Sequence, residues 1–219
     1  MTGAVVDAHD PRVHPHATRL SRVPWSRVGG LLVVIGVPTV LGLVVRDLGT
    51  RSLAVALFHY SPERLLHGRV WTLPLSGLLP PKVGNIGPTT IMTTAVLVPY
   101  VLLRGPWRAI GRFFAGHVVA TLAVAALVLP AAALGSGEAA KVVRAPDFGV
   151  SAGLAAVAGA MVIVLWQRRG PIAGGLLLLG VLGFFAFRLL TTASLGHHLA
   201  ETEHLVAAAV GIFVEQRSP

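Results

Sequence analysis

Apolar residues run in long stretches along this chain, broken by short polar segments. Six stretches stand out, at about 29–45, 86–103, 113–133, 148–166, 171–190 and 198–214. Each would span roughly 25–30 Å as a helix rising 1.5 Å per residue, close to the thickness of a bilayer's hydrocarbon core. Helix is the favoured form there, because lipid offers no partner for open backbone groups. The pattern predicts an all-α, polytopic bundle of six transmembrane helices over 29–214. A polar, basic tail at 1–28 precedes it and a short tail at 215–219 follows. The first stretch is long and no small-residue cleavage site follows it, so it reads as a retained membrane segment and not a removed signal peptide.

Composition agrees with the pattern. Of 219 residues, 54% are hydrophobic and 12% charged, against about 25% charged in a typical soluble domain. There is no cysteine, which excludes disulfides, thiol catalysis and cysteine-ligated metals. The formal charge of +9 does not indicate nucleic acid, since no soluble basic domain is present to carry such a partner. It bears instead on orientation. With the N-terminus inside, the cytoplasmic pieces hold ten Lys and Arg and the outer pieces eight. The inner connections "RGPWRAIGR" and "QRRG" are short and densely basic, which favours cytoplasmic N- and C-termini in the plasma membrane.

The first outer connection, 46–85, is about 40 residues long yet rich in Leu, Val, Trp and Phe. Ser61-Pro62-Glu63 is a helix start, with a capping hydroxyl, a proline at the first position and an acid in the first turn. Gly68 is placed to end that helix, and Tyr60 and Trp71 suit a membrane interface. The segment reads either as lying in the outer leaflet or as an ordinary amphipathic connector. No repeat or low-complexity tract interrupts the chain.

Polar residues at depth carry the functional information in a membrane protein. They are Asn85 at the head of the second stretch, His117 in the third, Ser151 in the fourth and Arg188 in the fifth, with His197, His198, Glu201, Glu203 and His204 opening the sixth. Arg188 is near an outer end and can snorkel, and the early position of Glu201 and Glu203 suggests headgroup exposure. The fourth and sixth stretches run the same way, from outside to inside. Ser151 then lies roughly 5 Å deep and His204 roughly 9 Å deep, on the same side. A serine nucleophile needs a histidine in reach to take its proton, and reach needs close helix packing. Gly149 and Gly153 form G-x-x-x-G, Ala155 and Gly159 continue the small face, and Ala207 and Gly211 follow His204 by three and seven residues. Small residues at these spacings let backbones approach, so the same glycines support packing alone or catalysis through packing. The letters "GVSAG" also fit the soluble-hydrolase G-x-S-x-G, but that motif needs a strand before a sharp turn, and this serine heads an apolar helix.

These features together resemble the rhomboid intramembrane serine proteases, most closely a divergent rhomboid-like branch of actinobacterial membrane proteins. The likeness covers most of 29–214. It rests on six segments, a long first outer loop containing "GRVWTLPLSGLLPP", Gly149, Ser151, Ala152 and Gly159 in the fourth segment, and "EHLVAAAVG" (Glu203, His204, Ala207, Gly211) in the sixth. The resemblance implies Ser151 as nucleophile and His204 as general base, no cofactor, and cleavage of transmembrane protein substrates near their outer ends. The chain departs from the family at three places. Trp71 is followed by Thr72 in place of arginine, Ala152 stands where a glycine is usual, and no histidine accompanies Asn85 at the head of the second segment. That last position normally helps bind the oxyanion, and losing one such donor costs about 10²–10³ in rate. Asn85, His117 and Gly149 are the candidates to support it. Two alternatives stay open. One is a catalytically inactive rhomboid-like protein that binds client membrane helices. The other is a metal or haem protein using His117, His197, His198, Glu201 and His204, whose spacing matches no strong ligand motif.

Overall fold

The computed structural model describes residues 24–47, 57–79, 86–147 and 149–218. Among the described residues the elements are helices: α1 (Trp25–Asp47), α2 (Pro62–Leu66), α3 (Thr72–Ser76), α4 (Ile86–Arg104), α5 (Pro106–Ala133), α6 (Gly137–Arg144), α7 (Val150–Arg169), α8 (Pro171–Thr191) and α9 (Leu195–Gln216). Five of these, α1, α4, α5, α7 and α8, are long and apolar enough to cross a membrane, so this is a multi-pass membrane protein by length and composition. The pattern predicted six such helices. The sixth stretch is a helix of 22 residues, but His197, His198, Glu201, Glu203 and His204 crowd its first half and it does not reach the apolar content of the other five.

The helices overrun several of the apolar runs, the third by most. The third stretch starts seven residues earlier than its apolar run, because "RGPWRAIGR" is helix from Pro106 onward and not an open connection. The turn narrows to Gly105, whose φ is +91°, and Gly170 at φ +89° makes the same turn before Pro171. Both turns read Arg-Gly-Pro: glycine adopts the left-handed backbone at no steric cost and proline starts the next helix. Helix α6, between α5 and α7, was not foreseen. Its signal is present, since the Ser136 hydroxyl accepts from the Ala139 N–H at 3.3 Å and Glu138 lies in the first turn.

The bundle is organised around α7, which packs on α4, α5, α8 and α9. Most of its side chains are buried, and many are Ala or Gly. A Cβ built on Gly211 of α9 would stand 1.8 Å from the Ala156 carbonyl oxygen of α7, and one on Gly159 would stand 2.1 Å from the Ala208 oxygen of α9. A Cβ on Gly116 of α5 would meet that of Ala156 at 2.1 Å. Three backbones therefore converge at Ala156, an approach that only missing side chains permit. Gly159, Ala207 and Gly211 serve this packing as their spacing suggests. Gly153 does not face α9: it seats the Phe113 ring of α5, whose atoms would lie 2.5 Å from an added Cβ.

The far end of α9 is locked by charge. The Glu215 side chain is fully buried, accepts from the Tyr100 hydroxyl at 2.6 Å and from Arg112 Nε at 3.0 Å, and pairs with Arg104 Nε at 2.9 Å. The last turn of α9 is thus part of the bundle and not the start of a free tail. Removing one partner of a buried ion pair strands the others. Glu215→Ala is expected to lower unfolding free energy by about 3 kcal/mol, measurable as a reduced denaturation midpoint in detergent.

Between α1 and α4, the expected start at Ser61 forms as predicted. Its hydroxyl accepts from the Arg64 N–H at 3.3 Å, and Gly68 takes φ +76° just beyond the helix. Trp71 is half-exposed, but Tyr60 is buried instead of sitting at a surface. Its backbone exchanges two hydrogen bonds with Asp147, an antiparallel bridge that ties the loop to the segment entering α7. Burial, and then the negative charges of Asp147 and Glu203, hold the Tyr60 phenol above its usual pKa range.

Candidate functional site

Ser151 is the second residue of α7, and His204 lies near the middle of α9. Because α7 and α9 pack in parallel at glycine-limited distance, the two side chains meet: His204 Nε2 is 2.8 Å from Ser151 Oγ. The other ring nitrogen, Nδ1, is 3.1 Å from Glu201 Oε2. A carboxylate can only accept, so Nδ1 carries the proton and Nε2 is left as acceptor for the serine hydroxyl. The second carboxylate oxygen, Glu201 Oε1, accepts from Arg188 Nε of α8 at 3.0 Å. Phe185, also on α8, stacks on the imidazole with ring centres 5.1 Å apart and planes 20° apart.

Ser151, His204, Glu201 and Arg188 line a cavity of about 470 Å³ whose other walls are apolar, including Met92 and Val96 of α4, Leu154 of α7 and Leu177 and Phe184 of α8. The combination is a hydroxyl with a proton acceptor, the acceptor oriented by an acid, and an apolar space beside them. These are the parts that acyl transfer to and from a serine uses.

Glu201 and Arg188 are where sequence reasoning fell short. Glu201 was expected near headgroups, yet it is 2% exposed, and Arg188 turns to it instead of snorkelling away. The E-x-x-H spacing was the available signal, since residues three apart share a helix face. Glu203 points elsewhere. It is buried against α5, where it accepts from Thr121 Oγ1 at 2.7 Å, two residues being too few to return to the same face.

The expected supporting residues divide. His117 is 1% exposed, and its Nε2 lies 3.0 Å from Ser76 Oγ and 2.9 Å from the Leu73 carbonyl. It docks α3 onto α5 and is not among the residues lining the serine's cavity. Gly149 is adjacent to the serine: its N–H donates to the Ser76 carbonyl at 3.2 Å, and a Cβ there would come 3.2 Å from Ser151 Oγ. Glycine at 149 therefore keeps the nucleophile uncrowded while pinning α7 to the loop. Asn85 lies outside the described residues. His197 Nδ1 stands 2.6 Å from Ser194 Oγ at the helix cap. Among the described residues no group of three or more His, Asp and Glu gathers around a possible metal position.

No family model, curated protein or solved structure matches this chain.

Proposed function

We propose that this protein is a six-span, rhomboid-like intramembrane serine protease, with α9 as the sixth span and both termini in the cytoplasm. It cleaves transmembrane substrates near their outer ends. The observation that carries the reading is the 2.8 Å contact between Ser151 Oγ and His204 Nε2, made by two residues 53 apart in the chain beside an apolar cavity. Ser151 Oγ attacks the scissile carbonyl carbon as His204 Nε2 takes its proton. The resulting imidazolium gives that proton to the leaving amine as the C–N bond breaks. A water then attacks the acyl ester, again losing its proton to Nε2, which returns it to Ser151 Oγ as the acid product leaves. The oxyanion forms beside the first turn of α7, whose N–H groups have no intrahelical acceptor and whose dipole favours negative charge.

The test is labelling of the purified protein by a fluorophosphonate probe. Labelling that is lost in both Ser151→Ala and His204→Ala supports the reading. A wild-type protein that neither labels nor cleaves any transmembrane substrate overturns it.

A second reading, a non-catalytic protein that holds client membrane helices in the same groove, is favoured by one observation. Among the side chains lining the cavity, His204 and Arg188 are the N–H donors, and Glu201 engages both. Stabilisation of an oxyanion would then rest on backbone N–H groups and on the remaining Arg188 guanidinium N–H groups at the cavity rim. Clients that co-purify equally with wild type and Ser151→Ala, with no labelling of either, would decide for it.

A further inference from the structure

The family resemblance implies a serine–histidine pair, but the geometry holds more than a pair. We infer that Glu201 is a positioning residue for His204, and that Arg188 makes its effect depend on α8 being docked. This rests on the protease reading for its catalytic consequence, though not for its geometry.

The two oxygens of Glu201 are divided between two tasks. Oε2 faces His204 Nδ1 and Oε1 faces Arg188 Nε. A glutamate three residues before a histidine on one helix can reach it, but its three side-chain torsions leave many other positions open. The guanidinium removes that freedom by fixing the far oxygen from outside the helix. Burial adds to this: the Glu201 side chain is 3% exposed and that of Arg188 45% exposed. The acid is thus committed to the site while the arginine supplies a countercharge from its rim. With Nδ1–H donated to Glu201, the imidazole is held in the tautomer that presents a lone pair to serine.

Arg188 and Phe185 sit one turn apart on α8, and both contact the histidine unit, one through Glu201 and one by stacking. Little of the apolar length of α8 is buried, and Gly174, near its start, is where it closes on Trp166 and Val162 of α7. Arg188 and Phe185 thus tie the end of α8 nearest the serine to the groups that set the base. Any displacement of that end withdraws Arg188 and Phe185 together.

The experiment uses the full chain in proteoliposomes, with a transmembrane substrate and selective ¹⁵N-histidine NMR. Glu201→Gln is expected to lower kcat by about 10²–10⁴ with KM within about twofold. Arg188→Leu should lower kcat by about 10–100-fold, with most of it restored in Arg188→Lys. In the wild type, His204 should be the Nδ1–H tautomer, and in Glu201→Gln a mixture. Full kcat in Glu201→Gln overturns the inference while Ser151→Ala remains inactive, leaving the protease reading intact. An Nε2–H tautomer in the wild type overturns it even if the variants do not fold. If the wild type proves inactive, the protease reading falls, and the tautomer alone decides whether Glu201 positions His204.

Discussion

Ser151→Ala is expected to abolish fluorophosphonate labelling and to lower substrate cleavage by at least about 10³-fold, because no other cavity-lining side chain is a nucleophile held against a base. The same substitution should change unfolding free energy by no more than about 1 kcal/mol, the net value of one hydrogen bond. That contrast is the informative part. If Ser151 were packing material alone, an alanine of nearly the same size would leave every readout near wild type. His204→Ala should abolish labelling equally, and the double variant should be no worse than either, since the two groups act as a unit. Its stability should fall further than that of Ser151→Ala, because the ring also stacks on Phe185 and bonds to Glu201. Purified variants compared by labelling rate and by denaturation midpoint supply both readouts.

Gly211→Ala should be the most damaging single-carbon change in the bundle. The added Cβ would lie 1.8 Å from the Ala156 oxygen, so α7 and α9 must separate by more than about 1 Å to restore ordinary contact. Overpacking of this kind costs about 1–3 kcal/mol, to which the change to a better helix former returns under 1 kcal/mol. The functional loss should exceed the stability loss. Ser151 and His204 are on those two helices, and a misplacement of about 1 Å can cost about 10² in rate. Gly159→Ala should behave similarly, since its Cβ would meet the Ala208 oxygen at 2.1 Å. Gly175→Ala is the control: nothing lies within 4 Å of a Cβ there, and it should leave labelling unchanged. Equal labelling rates in Gly211→Ala and Gly175→Ala would show that glycine-limited packing does not place the dyad.

How far each feature could be read from sequence follows the range of the forces behind it. Helix existence depends on local composition and backbone hydrogen bonding, so the apolar stretches and the cap at Ser61 were legible. The ends of α5 and α9 were not, because Arg104, Arg112 and Glu215 look like solvated charges until they are seen to neutralise one another inside the bundle. Tyr60 was misplaced for a similar reason: an amphipathic ring suits an interface by type, but its bridge to Asp147 buries it.

The candidate site divides along the same line. Chain order and helix direction alone put Ser151 and His204 at similar depth on the same side, and small residues at four-residue spacing marked the helices able to approach. Those are one-dimensional properties, and they suffice to nominate a pair. Which face each helix turns to its neighbour is a matter of packing among three or more helices. Packing turned Gly153 to Phe113, His117 to the loop and Glu203 to Thr121. It also brought Arg188, from a different helix, onto Glu201. Sequence by itself determined the long helices, their order and the two residues worth pairing. The tertiary structure decided that they touch, and that a buried acid and an arginine from α8 stand behind them, because helix rotation is set by contacts that no single segment contains.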